Sequence, residues 1–77
     1  MNWISVHSSV LEAMAYLQNE RLLYLKFRSG DTYRYFDFPP ERYDELLTAD
    51  SKGRHFAASI RVRYRYEQVR HRTIGTA

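Results

Sequence analysis

Cysteine is absent from this 77-residue chain, which excludes disulfide staples and zinc–thiolate centres. Histidine is sparse as well: His7, His55 and His71 lack the i, i+4 spacing of a helical metal pair, so no metal or other cofactor is implied. No apolar run is long enough to span a bilayer, and Met1-Asn2-Trp3-Ile4-Ser5 lacks the basic-then-apolar layout of a secretory signal. These absences, with a thiol-free composition suited to a reducing compartment, lead to the expectation of a soluble cytoplasmic protein with no membrane partner. Acidic residues are nearly missing from one part of the chain. Residues 51–77 carry Glu67 alone against seven basic groups, a net +6, whereas residues 1–50 carry eight acids against five bases, a net −3. Such asymmetry points to a basic patch directed at polyanions, unless the cations pair internally with Glu41, Asp44 and Glu45.

What is abundant is tyrosine, with seven among 77 residues, as suits a small core built from few, bulky rings. A chain of this length sits near the lower limit for independent folding, so every large apolar residue is first assigned to the core and the whole chain to one domain. Leu22 to Arg28 places Leu23, Leu25 and Phe27 on one side and Tyr24, Lys26 and Arg28 on the other, the pattern of a half-buried strand. Val10 to Leu17 alternates poorly. A helical face (Leu11, Met14, Ala15) competes there with two strand faces, and the polar Gln18-Asn19-Glu20-Arg21 step, which suits a hairpin loop, favours the strand. Ser29-Gly30-Asp31 marks a tight turn into a third strand, Thr32 to Phe38, with rings on both faces. Trp3 and Ile4 lie in a loosely held lead-in with the option of docking on the core.

Pro39-Pro40 ends the third strand and opens a helix, with Glu41 at its positive end and Tyr43, Leu46 and Leu47 expected to face the sheet. Asp50 or Ser51 caps a second short helix that buries Phe56 and Ile60, and Gly53 in its first turn implies either a tight approach or a bend. Beyond Ile60 two periods conflict. Phe56, Ile60 and Tyr64 continue a helix, while Ile60, Val62, Tyr64 and Tyr66 fit a strand; β-branched and aromatic content favours the extended form. The reading is therefore an α+β domain: a three-stranded antiparallel meander, two short helices on it, and an extended Arg/Tyr segment that adds a further strand. Residues 70–77 form the expected flexible tail.

The arginine alternation Ile60-Arg61-Val62-Arg63-Tyr64-Arg65-Tyr66 carries the functional lead. On a strand it would align Arg61, Arg63 and Arg65 on one face, and guanidinium forks onto phosphate or carboxylate. Lys52-Gly53-Arg54 at a helix start could hold an anion, though it lacks P-loop spacing. Tyr33 and Tyr35 could stack bases or belong to the core. Arg34 and Tyr35 complete the candidate nucleic-acid-binding set with Lys52, Arg54, Arg61, Arg63 and Arg65. No catalytic constellation is apparent: His55 beside Arg54 admits a nuclease reading, and His7-Ser8 has no orienting acid. The arginine row equally suits a solvated edge that blocks aggregation, or an acidic protein partner or second copy of the chain.

The run Tyr16, Leu23-x-Leu25-x-Phe27, Ser29-Gly30, Tyr33-Arg34-Tyr35-Phe36, Pro39-Pro40, Tyr43, Leu46-Leu47, Ser51-Lys52-Gly53-Arg54-His55-Phe56, Ile60-Arg61 and Tyr64-x-Tyr66 resembles the KTSC domain. The resemblance covers roughly Ser8 to Val69, and Tyr33-x-Tyr35 and Ser51-Lys52-Gly53-Arg54-x-Phe56 are its most specific parts. That family is named for the C-terminus of some lysyl-tRNA synthetases and also occurs as stand-alone bacterial or phage proteins. The resemblance implies an RNA-binding role through this attachment to a tRNA enzyme, without a characterised activity. The expectation is a small non-catalytic RNA-binding module, with an acidic protein or another copy of the chain as the alternative partner.

Overall fold

The computed structural model describes residues 1–70, and the expected tail from His71 onward lies outside them. The chain forms an α+β fold of five strands and two helices: β1 (Ile4–Ser5), β2 (Leu11–Leu17), β3 (Leu22–Phe27), β4 (Thr32–Tyr35), α1 (Pro40–Thr48), α2 (Lys52–Ser59) and β5 (Tyr66–Val69). The sheet order follows the sequence, β1-β2-β3-β4-β5, and every pair is antiparallel. The expected meander is thus its centre, with β1 added at one edge and β5 at the other. No helix among the described residues is long and apolar enough to cross a membrane.

The poor alternation of β2 has a structural cause. Its register on β3 shifts between Leu11 and Ala13, so Leu11 and Met14 both enter the core although they are three positions apart, an odd offset that regular alternation would send to opposite faces. Met14 then lies opposite Leu25, and Tyr16 opposite Leu23. The β2–β3 turn is held by the Arg21 amide donating to the Gln18 carbonyl at 3.3 Å. In the β3–β4 turn Gly30 adopts φ 103, which lets its amide return to the Phe27 carbonyl at 2.9 Å. Two residues carry no readable period, so the sequence places β1 in the lead-in; in the structure Ile4 and Ser5 pair with Met14 and Ala13.

Both helices pack on the sheet face that carries Leu23, Leu25, Tyr33 and Tyr35. Pro39 is extended and Pro40 begins α1, as a residue with a fixed φ and no amide hydrogen should. Tyr43 of α1 stacks on Tyr16 with ring centres 4.5 Å apart, and the Tyr16 hydroxyl donates to the Phe38 carbonyl at 2.5 Å. Leu46 is fully buried. Leu47 departs from expectation, being 37% exposed, because consecutive helical residues turn about 100° apart and Leu46 takes the inward direction. Ser51 caps α2, its hydroxyl accepting the Arg54 amide at 3.3 Å. A Cβ on Gly53 would lie 3.1 Å from the Ser8 hydroxyl oxygen, so this glycine serves the close approach of α2 to the β1–β2 connection. Phe56 drives between Phe27 and Tyr35, with ring centres at 5.2 and 5.9 Å.

The extended Arg/Tyr segment is corrected by the structure. Ile60 to Tyr64 is a succession of turns, and pairing begins only at Tyr66. A strand would have aligned Ile60, Val62 and Tyr64; instead Ile60 is buried, Tyr64 packs on Phe38 at 4.8 Å, and Val62 is 86% exposed. The helical period of Phe56, Ile60 and Tyr64 prevails because it delivers two side chains to the core.

Candidate nucleic-acid interface

Register decides what stands on the second sheet face, where no helix packs. Tyr24 lies opposite Arg34, and Arg34 opposite Glu67. Neighbours across an antiparallel pair are within side-chain reach, so these three interact directly. Arg34 donates from Nη1 to the Tyr24 hydroxyl at 3.1 Å and from Nε to Glu67 Oε2 at 2.6 Å, and also forms an ion pair with that carboxylate. The Tyr24 hydroxyl and then the Glu67 carboxylate hold the Arg34 guanidinium above its ordinary pKa. Its charge is permanent and largely spoken for.

Around this centre cations alternate with rings. Trp3, one residue before β1, meets Tyr24 edge-on at 6.3 Å, and the Lys26 ammonium lies 5.8 Å from the Trp3 ring centre. On the other side Arg34 approaches the Phe36 ring at 5.9 Å and Arg65 sits over the same ring at 4.6 Å. The array runs Lys26, Trp3, Tyr24, Arg34, Phe36, Arg65 across the open face. A cation over an aromatic face is attracted by about 0.5–1 kcal/mol where water has access, which favours one arrangement of otherwise mobile side chains. Trp3 remains 42% exposed. Among the described residues the ion pairs are Arg34–Glu67 and Arg42–Glu45, so Lys26 and Arg65 are not neutralised by a carboxylate in that set.

The other expected site residues separate. Tyr35 is 3% exposed and belongs to the core on the helix side, where burial pushes its hydroxyl up to about 12; it presents no face for stacking. Arg61, Arg63 and Arg65 do not form a row, since the turns from Ile60 send them to different places. Arg61 borders a shallow groove with Tyr33 and Tyr66, Arg63 lines a cleft beside α1, and Arg65 reaches the open face. Lys52 donates to the Ala49 carbonyl at 3.1 Å and so ties the start of α2 to the end of α1. Arg54 and Lys52 border a hollow with His7 and Ser8, whereas His55, one residue further round the helix, lines the cleft with Arg63. The pairing of His55 with Arg54 is therefore not realised at one site.

Trp3, Tyr24, Lys26 and Phe36 were missed by sequence reasoning as members of a site. The alternation of Tyr24 and Lys26 was visible, but only cross-strand register brings Trp3, Arg34 and Arg65 to them.

Comparison with known proteins gives the architecture a family. The KTSC domain model matches residues 7–64, most of the chain. The chain belongs to the KTSC domain family. A KTSC domain protein of Yersinia pestis, known from its crystal structure, superposes with a TM-score of 0.87 at 28% identity, over 90% of this chain and 97% of that one. A protein of Tsukamurella paurometabola is 43% identical over 60 residues, 78% of this chain and 90% of its own. A lysine–tRNA ligase of Nostoc punctiforme is 38% identical over 61 residues, which span 79% of this chain and 11% of the ligase. The KTSC segment is thus a small part of that enzyme.

Proposed function

We propose that the chain is a non-catalytic module that binds single-stranded RNA on its open sheet face. The observation that carries this reading is the array from Lys26 to Arg65, in which rings lie among cations and Trp3 offers an exposed ring beside the buried Tyr24 and half-buried Phe36. Single-stranded nucleic acid is held by stacking of bases on aromatic side chains together with neutralisation of phosphates, and an open sheet face is a suitable platform for both. Trp3 supplies the stacking surface. Lys26 and Arg65 supply the phosphate contacts, while Arg34, already engaged by Glu67, braces the rings. The presence of a KTSC segment in lysine–tRNA ligases supports RNA as the polyanion, and the lack of an ion pair between Arg65 and the α1 carboxylates among the described residues supports its availability to a phosphate on the open face.

Two free cations set a modest electrostatic component. Each phosphate contact on a single strand contributes about 0.7 to the slope of log affinity against log salt, so a slope of roughly −1.4 is expected. Fluorescence anisotropy of a labelled single-stranded RNA, measured across a salt series, checks this. Arg65→Gln should flatten the slope by about 0.7, and Trp3→Ala should weaken binding by roughly 1–3 kcal/mol without changing the slope. Absence of any salt-sensitive affinity at low ionic strength overturns the reading. The outer edge of β5 then becomes the stronger feature, because a strand at the sheet edge can pair with an acidic partner segment or a second copy.

A further inference from the structure

A cleft of about 260 Å³ opens on the helix side of the molecule, away from the cation–aromatic array, and is bordered by α1, α2 and the turns that follow Ile60. Its apolar lining comes from Phe38, Ile60 and Tyr64, and its polar lining includes Arg42, His55 and Arg63. The elements bring these together for reasons already given: Ile60 and Tyr64 are drawn to the core, which leaves Arg63 at the mouth. Arg42 donates from Nη1 to Glu45 Oε2 at 2.7 Å, which fixes its direction and leaves guanidinium donors for a further acceptor. The volume falls just under the roughly 300–1,000 Å³ range of small-molecule sites, enough for one compact ligand and too little for a run of nucleotides.

We infer that this cleft binds a nucleotide with a terminal phosphate monoester, the phosphate between Arg42 and Arg63 beside His55 and the base against Tyr64. A terminal monoester carries close to two negative charges and three acceptor oxygens, which suits two guanidinium groups and an imidazole; an internal phosphodiester carries one charge and would have to pass through the site in both directions. Glu45 is held by Arg42 and offsets part of that guanidinium's charge, so Arg63 carries the larger share of the attraction for the phosphate. The same chemistry has two sources, a free mononucleotide and the phosphorylated end of an RNA. The second rests on the RNA-binding reading, the first does not.

Adenosine monophosphate is the probe, titrated into the 15N-labelled chain with adenosine as control. Shifts should concentrate at His55, Arg63 and Tyr64, adenosine should bind at least tenfold more weakly, and Arg63→Gln should weaken the monophosphate at least tenfold while leaving the melting temperature unchanged. Arg42→Gln, also at an exposed position, repeats the measurement from the other side of the cleft. No binding at millimolar monophosphate, or binding indifferent to both substitutions, overturns the inference. The sources are separated by comparing RNA oligonucleotides with 5′-phosphate and 5′-hydroxyl ends: a preference for phosphate that Arg63→Gln abolishes assigns the RNA end, and equal affinity with monophosphate binding retained assigns the free nucleotide. In the doubly substituted Trp3→Ala, Arg65→Gln chain, monophosphate binding persists even where binding along the RNA strand is lost, so failure of the open-face reading and failure of this one give different results.

Discussion

The two faces of one sheet are organised by different forces. On the helix side Leu23, Leu25, Met14 and Leu11 are withdrawn from water by Phe56, Leu46 and Phe38, and each such burial contributes about 1.5–3 kcal/mol without needing a particular orientation. On the other side the strands alternate to Tyr24, Lys26, Arg34 and Glu67, and the ordering comes from hydrogen bonds and cation–ring contacts worth far less apiece. On the first face a single truncation removes a large share of the stability. The second can be altered and still stand, which is the property a recognition surface requires.

The largest test of this contrast is Leu25→Ala against Trp3→Ala. Leu25 is fully buried, so its truncation should cost about 2–5 kcal/mol in urea denaturation, a large share of the stability of a domain this size. Trp3→Ala should cost about 1 kcal/mol or less, since that ring is substantially exposed. Equal losses at the two positions would mean that the open face is a second core.

A smaller effect sharpens the comparison through pH. Burial raises the Tyr35 hydroxyl to about 12, and raises those of Tyr16 and Tyr43 by the same cause. The unfolded chain, with ordinary tyrosines near 10, releases these protons first as pH rises, so the stability they confer is complete below about pH 10 and is lost towards pH 12. Tyr35→Phe removes one of the three titrations and should make the alkaline decline in melting temperature shallower. An unchanged decline would place the hydroxyl in water.

The least effect is expected at Gly53→Ala. Alanine gains up to about 1 kcal/mol of helix propensity, yet its Cβ would meet the Ser8 hydroxyl oxygen at 3.1 Å, and that oxygen is held by the Val10 and Leu11 amides at 3.0 and 3.1 Å. The two effects should nearly cancel in thermal denaturation. A full gain would show that the β1–β2 connection yields easily.

Much of this architecture was legible because period and turn chemistry agreed from Leu22 to Ser59, while β2 was placed by the loop that follows it rather than by its own period. Leu23-x-Leu25-x-Phe27 marked the central strand, Gly30 the turn after it, and Pro39-Pro40 the change to helix. The segment from Ile60 to Tyr66 misled because two periods were both satisfied on paper, whereas the turns that follow α2 bury Ile60 and leave Val62 exposed. The site was legible in its charge and not in its place. Sequence alternation identifies which side chains share a face, but the assembly of Trp3, Tyr24, Arg34 and Arg65 depends on how five strands are aligned, and Trp3 and Arg65 come to opposite sides of one array only after folding.

Trp3, the largest ring of the array, is carried by the shortest strand. β1 is held to β2 through two residue pairs, so it lies at the low end of the range of local opening energies within the sheet. A strand of RNA stacking on Trp3 would fasten that edge as it binds, and the work of fastening is subtracted from its affinity. The array is then a clasp with one loose leaf: amide hydrogen exchange at β1 should slow on occupancy while exchange in β3 stays as it was, and a substitution that pins β1 would raise affinity without touching the ligand.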